Sequence, residues 1–165
     1  MTTVIRFARG STIAAILMAA LGLAACASKP EGPAASASVA GAAARGSAQD
    51  FVVNVGDRVF FETDSSEITA QGRETLDKQA QWLTNYGQHA FTVEGHADER
   101  GTREYNLALG ARRAQAVRDY LASRGIAPTR MRTISFGKER PVAVCNDISC
   151  WSQNRRAVTV LNASS

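Results

Sequence analysis

Phe91-Thr92-Val93-Glu94-Gly95-His96-Ala97 alternates with period 2, and Asp98-Glu99-Arg100-Gly101-Thr102 follows it without a break. The first seven residues read as a strand with one face buried. From about Glu104 to Arg124 the period changes. Leu107, Gly110, Ala114, Val117 and Leu121 recur three or four residues apart, which is one face of a helix. Gly125 suits the residue just past the helix end, and Pro128 blocks any continuation. A strand that feeds a long helix through a short charged loop is the unit around which the other elements must arrange themselves.

Working outward, Arg58-Val59-Phe60-Phe61 is a short β-type run. Thr69 or Ser66 can cap a helix whose apolar positions Leu76, Ala80, Leu83 and Gly87 keep the same spacing, with Asn85-Tyr86-Gly87 ending it. Met131 to Phe136 reads as a third strand. Arg156 to Leu161 reads as a fourth, with Val158 and Val160 on one face. The order β-α-β-α-β-β predicts an α+β sandwich, its helices packed on one face of a small mixed sheet. About 115 residues, 51–165, make one ordinary domain.

The N-terminus has a different character. Arg6 and Arg9 precede an uncharged stretch from Thr12 to Ala25 that ends Leu23-Ala24-Ala25-Cys26. Basic residues, an apolar run and small residues at a cleavage point make a secretory leader over 1–25. The uncharged stretch is shorter than the roughly 20 residues that span a bilayer. Cys26 after Leu-Ala-Ala resembles the bacterial lipobox, which implies a lipidated cysteine as the mature N-terminus. Ala27 in place of an acidic residue implies sorting to the outer membrane, with the domain facing the periplasm. Residues 26–50 are rich in Ala, Ser, Gly and Pro, too poor in large apolar groups to offset their ordering entropy. They read as a tether with an r.m.s. reach of about 25–30 Å.

Charge and cysteine use narrow the function. Of the formal +4, the leader holds Arg6 and Arg9, so about +2 remains on the rest, too little and too dispersed for a nucleic-acid binder. With Cys26 set apart, Cys145 and Cys150 remain. In an oxidising compartment they are expected to form a disulfide that closes a short loop. A metal site would need further ligands, and no His or Cys lies nearby.

Gly95-His96-Ala97-Asp98-Glu99-Arg100-Gly101-Thr102, Tyr105-Asn106, Leu109-Gly110, Arg112-Arg113-Ala114 and Asn154-Arg155-Arg156-Ala157-Val158 together resemble the OmpA-like peptidoglycan-binding domain family. The resemblance covers 51–162. The order leader, tether, domain is similar to the lipid-anchored members that serve the Tol–Pal system. It implies a protein that binds diaminopimelate-containing peptidoglycan non-covalently, ties the outer membrane to the wall and supports constriction at division. TolB is the implied periplasmic partner, and no cofactor is implied. Asp98 and Arg113 match the family positions that grip the diaminopimelate head. Asn106 and Leu107 match pocket-lining positions, and the loop from Phe61 through Glu62 to Asp64 is expected to lend backbone N–H groups. The family's Phe-Asp-x-Asp is here Phe61-Glu62-Thr63-Asp64, which alters the reach of the first carboxylate.

The residue chemistry suits that ligand independently. The free head of diaminopimelate carries one ammonium and one carboxylate on the same carbon. Its reader needs an anion beside a cation, and a guanidinium receives a carboxylate bidentately. Asn106 and Arg113 lie two turns apart on one helical stripe, whereas Arg112 points about 100° away from Arg113. Asp98 can equally cap a turn, and Arg155 and Arg156 can serve fold and surface alone. Glu94, His96 and Asp98 share a strand face and would suit a metal or acid–base chemistry, which keeps a wall hydrolase as the alternative. No nucleophile or phosphate loop accompanies them. The simpler role for His96 is a hydrogen bond that orients the Asp98 loop.

Overall fold

The computed structural model describes residues 43–162. Cys26 and the leader lie outside the described residues. Four strands form one mixed sheet: β1 (Arg58–Phe60), β2 (Phe91–His96), β3 (Met131–Gly137) and β4 (Arg156–Leu161). Their spatial order is β1-β4-β2-β3. β2 and β3 run parallel, which requires a crossover, and the long helix supplies it. β4 enters last and pairs antiparallel with both β1 and β2. The α+β architecture is the one expected.

Two helices cover one sheet face, α2 (Ala70–Asn85) and α3 (Arg103–Ser123). Thr69, not Ser66, caps α2; its hydroxyl accepts the Gly72 N–H at 3.0 Å. Thr102 caps α3 by accepting the Tyr105 N–H. Leu76, Leu83, Phe91, Val93, Val117 and Leu121 meet in the core between helices and sheet. Gly87 lies beyond the end of α2 and is exposed, so it does not belong to that stripe. β2 and α3 approach so closely at Gly95 and Gly110 that a methyl on Gly95 would overlap the Gly110 carbonyl. That contact fixes how the strand delivers the loop after it.

Two helical segments were not legible beforehand. A short turn of helix α1 (Ala48–Asp50) runs on as a π-helical turn over Phe51–Val55. Ser47 caps it, and Asp50 is buried, accepting the Trp82 indole N–H and the Gly46 N–H, each at 2.9 Å. His89 stacks on Trp82 and bonds the Gly46 carbonyl at 3.0 Å. Residues 46–50, expected as part of the tether, thus pack against the domain that was expected to start at Phe51. Composition hid this, because the partners that pin Gly46 and Asp50 lie on distant elements.

Helix α4 (Ile148–Asn154) precedes β4. Asp147 caps it by accepting the Ser149 N–H at 2.8 Å. Cys145 and Cys150 are joined in the expected disulfide, Cα atoms 5.6 Å apart. The Asn154 side chain binds the loop back through Val142 N–H and Ala143 C=O. On this second sheet face His96 is buried against Phe136, and neither ring nitrogen has a hydrogen-bond partner. The expected orienting bond from its ring is absent among the described residues; its backbone carbonyl serves instead, as shown below.

Candidate functional site

A pocket of about 230 Å³ opens where β2 ends and α3 begins. Thr63, Asp64, Asp98, Tyr105, Asn106 and Arg113 line it, with Arg100, Gly101 and Leu109. The β1–α2 loop supplies one wall, the β2–α3 loop a second, and the first turns of α3 the floor. Asp64 adopts a left-handed conformation, φ 58°, which turns its carboxylate back toward Tyr105. The Tyr105 hydroxyl donates to that carboxylate, linking the two walls.

Arg113 is fully buried. Its Nε donates to the Ser65 carbonyl at 2.8 Å, Nη1 to the His96 carbonyl at 2.8 Å and Nη2 to the Glu62 carbonyl at 3.1 Å. Of five N–H groups, three are thus committed to backbone and two are left. The Phe61 ring lies beneath the guanidinium, 5.1 Å from centroid to carbon. Burial and the nearby charge of Arg155 pull its pKa down to about 10, while Asp98 and Asp64 favour the charged form. It stays a cation at neutral pH, and no carboxylate among the described residues hydrogen-bonds to it.

Asp98 is also buried, and it faces two arginines. Arg100 grips it through Nε at 3.1 Å, Nη2 at 2.7 Å and its backbone N–H at 3.2 Å. Arg155 Nη1 lies 3.4 Å away. Burial alone would raise the Asp98 pKa, but the hydrogen bonds and charge of Arg100, with Arg155 behind, hold it below the ordinary carboxylate value. Asn106 donates to the Arg100 and Thr102 carbonyls at 2.7 and 3.0 Å, so it clamps the loop from inside. Lys138 clamps it from outside, reaching the Glu99 and Gly101 carbonyls.

The expected residues are therefore partly gathered and partly dispersed. Asp98, Asn106, Arg113 and Asp64 share the pocket. Glu62 contributes its carbonyl to Arg113 while its side chain is exposed. Phe61 is a buried support rather than a wall. Leu107 sits away from the pocket, its carbonyl accepting from Ser135 on β3; Leu109 takes the lining position. Arg112 is exposed and leans over Tyr105, as its position on the helix implied. Sequence reading undervalued Arg100, Tyr105 and Arg155. Arg155 is buried, with Nε on the Phe61 carbonyl just past β1 and Nη1 near Asp98, so of the expected roles in fold and surface it keeps the first. Their place in the motif was the only signal, since side-chain direction in loops has no period.

Glu94 and His96 lie 3.7 Å apart on the second sheet face. Asp98, past the strand end, is turned to the arginines instead. Among the described residues no group of three or more His, Cys, Asp or Glu is placed to hold a metal.

This fold, with its pocket at the β2–α3 junction, defines a domain of the OmpA family, which residues 60–156 match. A peptidoglycan-associated lipoprotein of Rhizobium meliloti is 64% identical over 95% of this chain and 90% of its own length. The Agrobacterium fabrum protein of that name is 61% identical over 96% and 92%. The crystal structure of the peptidoglycan-associated lipoprotein from Burkholderia pseudomallei has a TM-score of 0.63 at 43% identity, covering 64% of this chain and 90% of that one. The chain belongs to the OmpA family, and its close relatives are peptidoglycan-associated lipoproteins.

Proposed function

We propose that the pocket holds the free amino-acid head of meso-diaminopimelate in peptidoglycan. In this reading Asp98 receives the ammonium and the two uncommitted N–H groups of Arg113 receive the carboxylate. The carrying observation is a buried guanidinium that lines the same small pocket as a buried carboxylate and has no anion of its own. A desolvated cation of that kind favours an incoming carboxylate, because attraction is strong where water is excluded. The names of the close relatives, which speak of lipoproteins associated with peptidoglycan, support the same ligand.

With a lipid on Cys26, the chain ties the outer membrane to the wall. One acyl chain gives only marginal binding, so lasting anchorage needs the two or more that a lipobox cysteine receives. The relatives' kind extends the reading to the Tol–Pal system, with TolB as partner and a role in constriction at division.

The test is retention on purified sacculi. The mature chain carrying Cys26→Ser should bind sacculi, and Asp98→Ala should lose at least about 30-fold in affinity, the usual cost of truncating one side of a buried charge pair. Arg112→Ala should bind as wild type. Full retention by Asp98→Ala would sink the assignment. In cells, Cys26→Ser should wash off membranes in salt; continued fractionation with the outer membrane would rule out the lipid anchor.

A further inference from the structure

Protein donors fill the acceptor positions of Asp98. Oδ1 accepts the Arg100 backbone N–H and Nε; Oδ2 accepts Arg100 Nη2 and Arg155 Nη1. A carboxylate offers about four lone-pair positions, and all are occupied. A ligand ammonium can reach Asp98 only by taking positions that a protein cation now holds.

The two arginines are not equally displaceable. Arg155 is 6% exposed and is tied to the Phe61 carbonyl at 3.1 Å. The Arg100 side chain is 42% exposed and, among the described residues, hydrogen-bonds to Asp98 alone. It also has a place to go. Its guanidinium carbon already lies over the Trp151 ring, 4.2 Å from the centroid and within cation–π range. Trp151 is fixed in turn: its indole N–H donates to Glu99 at 3.0 Å, and it directly follows the disulfide-bonded Cys150 on α4.

We propose that Arg100 is a resident counter-cation that the ligand ammonium displaces from Asp98. The displaced guanidinium, still resting on Trp151 at the pocket rim, then shares with Arg113 the one carboxylate of the same head group. This rests on the reading of Asp98 as the ammonium receiver and adds a specificity residue to it. A ligand with both charges exchanges one fork for another. A ligand with an ammonium alone breaks the Arg100–Asp98 fork and leaves the guanidinium without an anion. Discrimination against lysine-type stems then comes largely from Arg100, an exposed loop residue, and not from Arg113 alone.

The experiment uses the mature chain with Cys26→Ser and two muramyl tripeptides whose C-terminal carboxyl is blocked as the amide, one with meso-diaminopimelate, which keeps its head carboxylate, and one with L-lysine. Calorimetric titration is run on wild type, Arg100→Ala and Asp98→Ala. In Arg100→Ala the lysine-type ligand should gain more affinity than the diaminopimelate type, narrowing discrimination about tenfold, the worth of a charge-assisted hydrogen bond. In ¹⁵N-labelled wild type the Arg100 Nε–H and Trp151 indole signals should move on binding, while the Trp82 indole stays still. Discrimination unchanged in Arg100→Ala, equal loss of both ligands in that variant, or an Arg100 Nε–H that stays still at saturation would overturn the exchange. If Asp98→Ala binds as tightly as wild type, the site reading itself falls. If Asp98→Ala loses binding while Arg100→Ala discriminates as before, only the exchange falls.

Discussion

Arg113 is the side chain whose removal should cost most, and the cost is to the fold before it is to the ligand. Its three hydrogen bonds reach carbonyls on two separate segments, Glu62 and Ser65 on the β1–α2 loop and His96 at the end of β2. Arg113→Ala cuts all three. Hydrogen bonds to charged groups contribute about 1.5–3 kcal/mol each, which bounds the loss at about 4–9 kcal/mol. Two effects reduce it. Water can enter from the pocket to reach the carbonyls, and a charge that burial opposes is removed with its pKa already pulled down to about 10. A loss of about 3–5 kcal/mol remains, as for other broken buried charge networks. Domains hold about 5–15 kcal/mol in total, so the variant should stay folded in the cold with Tm lowered by about 10–20 °C. Arg113→Lys keeps the charge, but one ammonium cannot span three carbonyls spread as a fork, so it should lose about half as much. Urea titration with parallel thermal melts measures both. A loss under about 1 kcal/mol for Arg113→Ala would refute the assignment of this side chain as a tie between the two loops. Weak sacculus binding by the variant carries meaning only well below its own melting point.

His96 has its pKa lowered to about 4 by burial first and then by Arg156 and Arg140, against about 6.5 unfolded. The folded state therefore binds fewer protons in that window: stability is full above pH 6.5 and falls as pH drops toward 4, by about 2 kcal/mol between pH 7 and 5. Urea unfolding at both pH values should show the drop in wild type and a flatter response in His96→Leu; an equal slope in the variant would assign the effect elsewhere. Gly95→Ala drives a methyl into the Gly110 carbonyl and should cost about 2–4 kcal/mol by calorimetry, whereas Gly87→Ala, with nothing within 4 Å, should be close to neutral. Paired serine substitutions at Cys145 and Cys150 should cost about 2 kcal/mol through the short loop they close, and mass spectrometry of the unreduced protein should show two protons fewer than the dithiol. Two alkylatable thiols in protein taken from the periplasm would contradict that pairing.

Fold class and the order of the four strands and two long helices were determined by the sequence, because they rest on period. Phe91 to Ala97 alternates, Gly110 to Leu121 recurs at helical spacing, and each pattern can bury an apolar face in only one way. The expectation of a leader ending at Cys26 rests likewise on local properties, namely charge, apolar length and small residues, and those residues lie outside the described ones. Helix α4 was not legible. It is short, and its tie through Asn154 reaches back to a loop that has no period of its own. Helix α1 was hidden likewise, since Asp50 accepts from Trp82, more than thirty residues away. The site divides along the same line. That Asp98 and Arg113 would share one pocket could be expected from their motif and from the chemistry of a zwitterion. Only the tertiary structure placed Arg113 under three carbonyls, filled every acceptor of Asp98 with Arg100 and Arg155, and set Arg100 on Trp151 from an element fifty residues further along the chain. Sequence fixes which residues share a face within one element. Which charges end up buried together depends on how β4 inserts beside β2 and how closely Gly95 lets α3 approach, and those distances exist only after the chain has packed.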